Sequence, residues 1–299
     1  SIPIGRIRIA DHVDSVSSTA AFADTVDCGT GNKPDLFMVL AETQTEPKIF
    51  PQVTVPEALQ DSFASGDGKI HPLYVETFGG GTWVTNFSVM TGLSTADFGW
   101  QAPYVTQLME GRVRGALPEV LARCGYRTVT VMPMMYNFVN EGPLLKSIGF
   151  QEIYDAAAMG VEPLATRDSV YLDFAEKLIA EHRRTDRRPL FVAIQTLFAH
   201  SPYDHPHVDD SELPPTAYSA DPKANEYFRR VTMARADFAT FLDRRKVDPG
   251  PSGSVVADYG DHQGEATRDF AFELSGGPQA FADFRSILYR TYFGIHAFG

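Results

Sequence analysis

The sequence predicts an α/β sandwich with a mainly parallel central sheet and helices on both faces. Three observations lead there. Short, nearly uninterrupted apolar runs recur along the chain, the pattern of strands covered on both sides. Segments with apolar residues at helical spacing alternate with them, as in an α/β layer architecture. The chain, at 299 residues with 43% apolar and 21% charged, can also bury a substantial core as one domain, two at most.

Residues 1–32 combine a short apolar alternation, "IPIGRIRIA", with Ser, Thr, Asp and Gly and read as an N-terminal arm or linker; residues 33–299 form the domain that follows. The strands are "LFMVLA" (36–41), "TVTVM" (128–132), "LFVAI" (190–194) and "SVVA" (254–257). Trp83, Phe87 and Met90 recur at i, i+4 and i+7 and Gly92 supplies a stop, so a helix starts near Thr82. Residues 172–184 align Leu172, Ala175, Leu178, Ile179 and His182 on one stripe, and residues 225–243 align Tyr227, Val231, Ala234, Phe238 and Phe241 on another.

Twenty-six Lys and Arg against 38 Asp and Glu give a formal net charge of −12, which argues against a nucleic-acid-binding surface. A small anionic substrate stays compatible, because a metal ion or a helix N-terminus reverses the sign locally. Cys28 and Cys124 are the two cysteines, so neither a zinc ribbon nor a dense disulfide framework is supported; one disulfide and two free thiols both stay open. No run of about 18 apolar residues and no signal-peptide pattern occur, so the chain as given reads as soluble. It starts with Ser rather than Met, which leaves room for upstream sequence.

Ligands of such folds bind beyond the carboxyl ends of the strands. The four strands run into "ETQT", "PMMYN", "QTLFAHSPY" and "DYGDHQGE", so Glu42, Tyr136, His200, Asp261 and His262 are expected on one rim. A carboxylate such as Glu42 directly after a buried strand is costly without a cation or hydrogen bonds; the alternative is a solvated Glu at a frayed strand end. Adjacent Asp261 and His262 offer an oxygen and an imidazole nitrogen to one ion, or else belong to a polar turn that Gly260 and Gly264 make possible. Asp258, nearer the strand, reads as a supporting carboxylate. In "GGGT" the glycines let the backbone approach a ligand closely and set the Thr82 hydroxyl at the positive end of a helix; the alternative is a flexible turn with Thr82 as a helix cap. Glu42, Thr82, Asp261 and His262 together make an oxygen-rich site for Mn²⁺, Zn²⁺ or Mg²⁺ in which the threonine oxygen is both ligand and attacking atom. His200 is the candidate for a phosphoryl contact or for protonating a leaving group, whereas His205 and His207 read as solvated loop residues.

Taken together, "PDLFMVLAET", "GGGTWVTNFSVMTGLS", "LLKSIGFQEIYD", "FVAIQTLFAHSPY", "NEYFRRVTMARADFATFL" and "VVADYGDHQGE" resemble, in order, the alkaline-phosphatase and sulfatase superfamily over residues 33–299. The resemblance is to its branch of lipoteichoic acid synthases and bacterial phosphoglycerol transferases. It implies an alkaline-phosphatase-like sandwich with Glu42, Thr82, Asp261 and His262 as ligands of one divalent ion and Thr82 as nucleophile. It gives His200 as catalytic and phosphate-binding residue, with Tyr136 and Asn137 as further substrate contacts. The implied reaction moves a head group from an anionic phospholipid such as phosphatidylglycerol to a glycan or polyol through a Thr82 ester. The implied setting is the periplasmic or extracytoplasmic domain of an inner-membrane protein, joined to the membrane through an N-terminal transmembrane region absent from this sequence.

Two departures stand out. The branch carries an aromatic-Asn-Arg signature before "GF"; "YNFVN" puts Phe138 at the arginine, removing a bidentate phosphate partner. The membrane region is also missing. Sulfatase chemistry is disfavoured, because "TWVTN" lacks the Cys/Ser-x-Pro-x-Arg setting of that reaction. Phosphoethanolamine transfer or phosphodiester hydrolysis at the same site are the enzymatic alternatives, and a non-catalytic glycan- or lipid-binding module is the alternative outside enzymes.

Overall fold

The computed structural model describes residues 26–299 except 165, 215 and 216. The "IPIGRIRIA" stretch lies outside the described residues. Among the described residues seven strands form one sheet: β1 (Asp35–Ala41), β2 (His71–Tyr74), β3 (Arg127–Val131), β4 (Glu152–Tyr154), β5 (Leu190–Gln195), β6 (Ser254–Gly260) and β7 (Arg290–Phe298), in the order β2-β7-β6-β1-β5-β3-β4. From β6 to β4 all pairings are parallel, while β7 pairs antiparallel with both β6 and β2. The four strands expected from apolar runs are the parallel centre. The short strands β2 and β4 and the edge-side β7 were not among them, because half-exposed pairing leaves no continuous apolar run.

Alternation along the central strands divides the core. Phe191 and Ala193 of β5 face one layer with Phe87, Met90, Leu144 and Leu145, while Val192 and Ile194 face the other with Leu172, Ile179, Phe238 and Phe241. The first layer holds α1 (Thr82–Thr91) and α2 (Glu141–Ser147); the second holds α3 (Asp168–Thr185) and α4 (Pro222–Val247). Helices therefore cover both faces, as the patterning requires. The last two run a few residues beyond the apolar stripes that predict them. For α4 the cause is local: Pro222 fits the first helical turn, and Asp221 caps it by accepting from the Lys223 N–H at 2.8 Å.

Residues 26–32 lie outside any strand or helix, and a Cys28–Cys124 disulfide ties them to the end of the helix before β3. Among the described residues no helix is long and apolar enough to cross a membrane.

Candidate active site

β1 and β6 run parallel with Ala41 opposite Gly260, so the next residue of each, Glu42 and Asp261, emerges beside the other at the carboxyl edge of the sheet. Gly260 is required there: a Cβ would lie 1.9 Å from the Gln44 carbonyl oxygen, so the turn after β1 presses onto β6 only over a glycine. Within that turn the Thr43 N–H donates to Asp261 Oδ1 at 2.6 Å and the Thr43 hydroxyl donates to Glu42 Oε1. His262 Nδ1 lies 3.1 Å from the Gln263 carbonyl, which fixes the proton on that nitrogen. Nε2 is left facing Asp261 Oδ2 at 3.2 Å and Glu42 Oε1 at 3.7 Å. One ligand atom from each of the three residues lies within 4.8 Å of the others, and all three side chains are buried.

Thr82 joins them from α1. Gly81 precedes the helix at φ 85°, and a Cβ on it would come 2.9 Å from Thr77 Oγ1, so both backbone angle and space call for glycine. The Thr82 hydroxyl donates to Glu42 Oε2 at 2.9 Å and sits 3.4 Å from His262 Nε2. Thr85, one turn further, donates to the Asp261 carbonyl at 2.6 Å and fastens the helix to the end of β6.

The charge balance of this cluster is unfavourable by itself. Burial and then the negative charge of Asp261 push the Glu42 carboxyl well above the usual carboxylate range, against hydrogen bonds from Thr43 and Thr82. Asp261 Oδ2 is buried without a hydrogen-bond donor. Two carboxylates, an imidazole nitrogen and a hydroxyl converging without a cationic side chain are the donor set of a divalent metal ion.

No protein-family model matches the sequence. An uncharacterized protein of Haemophilus influenzae is 24% identical over 247 residues, 77% of this chain and 44% of the relative, so this chain spans less than half its length. Solved structures match more fully. The lipoteichoic acid synthase LtaP from Listeria monocytogenes superposes with a TM-score of 0.68 at 20% identity, over 96% of this chain and 71% of that one. Streptococcus pyogenes phosphoglycerol transferase GacH, solved with sn-glycerol-1-phosphate, gives 0.65 at 15% identity, over 97% and 72%. A protein of the alkaline phosphatase superfamily from Vibrio parahaemolyticus gives 0.59 at 18% identity, over 86% and 63%. The fold is that of the alkaline-phosphatase superfamily.

In this alkaline-phosphatase fold a cavity of about 280 Å³ opens beside Thr82 and Glu42. His200 lines it, with Nδ1 2.5 Å from the Ser201 carbonyl, so that Nε2 is the nitrogen left to act. Tyr136 and Asn137 are not brought to this cavity: the Tyr136 N–H donates to Asp155 Oδ2, Asn137 is exposed, and the wall is formed instead by Phe138. His205 pairs with Asp204 at the surface, and His207 lies beside it, ring to ring at 5.2 Å. Asp258 faces away, toward Arg235 and His296.

Two residues of the site went unread in the sequence. Glu141 lines the cavity at 4% exposure, its Oε1 accepting from Asn86 Nδ2 at 2.7 Å and from Gln195 Nε2 at 3.0 Å. Burial raises its pKa against those two hydrogen bonds, and the charge of Asp261 adds to the rise. An acid opening a helix is ordinary on dipole grounds alone, which hid it. Gln195 carries the same signal as Glu42, a polar residue closing a buried strand, and could have been found that way.

Proposed function

We propose that this chain is a metal-dependent phosphotransferase that moves a phospho-alcohol, phosphoglycerol in the first reading, from a phospholipid to a hydroxyl of a glycan or polyol. The observation that carries the proposal is the Thr82 hydroxyl at the head of α1, 2.9 Å from Glu42 and inside the Glu42–Asp261–His262 cluster. Held by these four residues, a divalent ion, Mn²⁺ or Zn²⁺ with Mg²⁺ also suited, supplies Lewis-acid stabilisation of charge at this pole. The threonine proton leaves along its hydrogen bond to Glu42 Oε2, and Thr82 Oγ1 forms a bond to phosphorus as the ester bond to diacylglycerol breaks. His200 Nε2 gives a proton to the departing oxygen. In the second half His200 Nε2 takes the proton of the acceptor hydroxyl, that oxygen attacks phosphorus, and Thr82 departs and regains its proton from Glu42.

The names of the fold relatives, a lipoteichoic acid synthase and a phosphoglycerol transferase, support this donor and acceptor chemistry. The Cys28–Cys124 disulfide supports an extracytoplasmic setting, where such bonds persist. Attachment to an inner membrane through an N-terminal region belongs to the same proposal. Phe138 in the cavity wall favours a second reading, transfer of phosphoethanolamine at the same threonine.

The test is intact-mass measurement after incubation with the metal ion and phosphatidylglycerol vesicles. A phosphoglycerol adduct on Thr82, absent from a folded Thr82→Ala variant, is expected; no adduct with that or any other phospholipid overturns the transfer reading.

A further inference from the structure

We propose that Arg230 of α4 is the positioning residue of His200, holding its ring where a proton reaches the departing oxygen. This rests on the Thr82 transfer reading and adds to it a residue that acts through His200 rather than on substrate or metal. Arg230 is fully buried, and each nitrogen of its guanidinium group meets a different acceptor. Nε donates to Glu226 Oε1 at 2.7 Å, one turn back on the same helix, while Nη1 donates to the His200 carbonyl at 2.7 Å and Nη2 to the His205 carbonyl at 2.9 Å. The Tyr203 ring, between those two carbonyls in sequence, has its centroid 5.2 Å from the guanidinium carbon. A planar fork can pair with a carboxylate and span two carbonyls at once, which an ammonium cannot.

Tyr227 shares this face of α4 three residues earlier. Its hydroxyl donates to the Thr43 carbonyl at 2.8 Å and its ring meets that of Tyr203 at 5.5 Å. One helix therefore grips both the turn that carries Glu42 and the loop that carries His200, and fixes the spacing between them. Because His200 Nδ1 is committed to the Ser201 carbonyl, the direction of Nε2 follows the backbone at 200 and 201, and that backbone is what Arg230 holds. A shift of about 1 Å at such a group costs on the order of 10²-fold in rate. Arg229 supplies the contrast. Next in sequence and nearly as buried, it holds the carbonyls of Val208, Asp209 and Leu213, farther along the same loop.

The test sets Arg230→Lys against Arg229→Lys, with Arg230→Gln, which can still donate to one carbonyl, in its place where lysine is not tolerated. Each protein, loaded with Mn²⁺, is given phosphatidylglycerol vesicles and, separately, the p-nitrophenyl ester of glycerol phosphate, whose nitrophenolate departs without a proton. Arg230→Lys should form the Thr82 adduct on the order of 10²-fold more slowly from the phospholipid, but within about threefold of wild type from the nitrophenyl ester. Arg229→Lys should match wild type on both. Nitrogen NMR of histidine-labelled protein, with His200 assigned through its loss in His200→Gln, reads the ring without turnover. The single Nδ1–H tautomer of the neutral wild-type ring should give way to averaged nitrogen shifts in Arg230→Lys alone. Equal losses on the two donors, or equal effects of the two lysine variants, mean that Arg230 only holds the loop together and overturn the proposal, as does an unchanged His200 ring. Where wild-type protein is labelled from neither donor, the phosphoglycerol reading fails instead, and the ring signal decides on Arg230 by itself.

Discussion

Asp258 and Asp261 stand three residues apart at the end of β6, both almost fully buried, and their surroundings are opposite. Asp258 meets Arg235 Nη1 at 2.8 Å and His296 Nε2 at 3.3 Å. Arg235 is in turn held by the Tyr292 hydroxyl at 2.6 Å and by the rings of Phe63, Phe238 and Tyr292, each about 5 Å from its guanidinium carbon. Burial pushes the Asp258 carboxyl up, but the charge of Arg235 and the hydrogen bonds of His296 and Arg235 outweigh it and leave its pKa below the usual value. Asp261 has another carboxylate, Glu42, for a neighbour and one oxygen with no donor. The fold completes one charge from its own side chains and leaves the other open. The difference marks where an outside ion belongs.

Replacing Asp261 by Asn should separate function from stability most sharply. Oδ1 still accepts from Thr43, but the site loses a ligand charge, and turnover should fall on the order of 10³-fold or more, with metal lost on dialysis. Metal-free protein should become more stable, by about 1–3 kcal/mol, because the repulsion on Glu42 and the orphaned oxygen both disappear. Activity, metal analysis and urea unfolding in chelator read the three effects; an apo variant less stable than the parent would mean that Asp261 is compensated within the fold after all.

At Asp258 the same kind of change should act in reverse. Arg235→Met keeps an apolar, flexible side chain among Phe63, Phe238 and Tyr292 but leaves a buried carboxylate with His296 as its one remaining described partner, a loss of about 3 kcal/mol. Adding Asp258→Leu should recover most of it, and metal content should not change in either variant. Urea unfolding with metal analysis checks both; a single variant as stable as the parent would show that His296 alone compensates Asp258.

The contrast between the two aspartates is half legible in the sequence. "DYGDHQGE" shows that Asp261 and His262 follow a strand, and chain order with the rule for strand ends is enough to gather Glu42, Thr82 and His200 near them. Nothing in that stretch says that Asp258 meets Arg235, 23 residues earlier on α4, or His296 on β7. β7 itself lacks the apolar run by which the central strands are read. Tyr136 and Glu141 show the same limit at shorter range. Both lie beyond β3, and the family signature points to the aromatic, but the left-handed turn at Val139 and Asn140 carries Phe138 and Glu141 to the cavity instead. A turn of that hand at non-glycine residues is invisible to pattern reading.

A third buried aspartate lies between the two extremes and gives the subtlest prediction. Asp168, at the start of α3, forms no ion pair among the described residues, but its Oδ1 accepts from the N–H groups of Leu197 and Phe198 at 3.1 and 3.0 Å, which sets the loop that carries His200. Burial outweighs those bonds and raises its pKa from 3.8 to about 7. The folded protein therefore holds a proton that the unfolded chain has released, and the stability this gives is complete below about pH 4 and is lost as pH rises through about 7. Asn at this position keeps the oxygen that Leu197 and Phe198 use and never ionises. Across that window the wild-type protein should lose stability relative to Asp168→Asn by up to about 1.4 kcal/mol per pH unit, levelling above it. Urea unfolding of both proteins at half-unit pH steps measures the difference; parallel curves would mean that the carboxyl is ionised in the folded state, held by its two amide donors as firmly as Asp258 is held by Arg235.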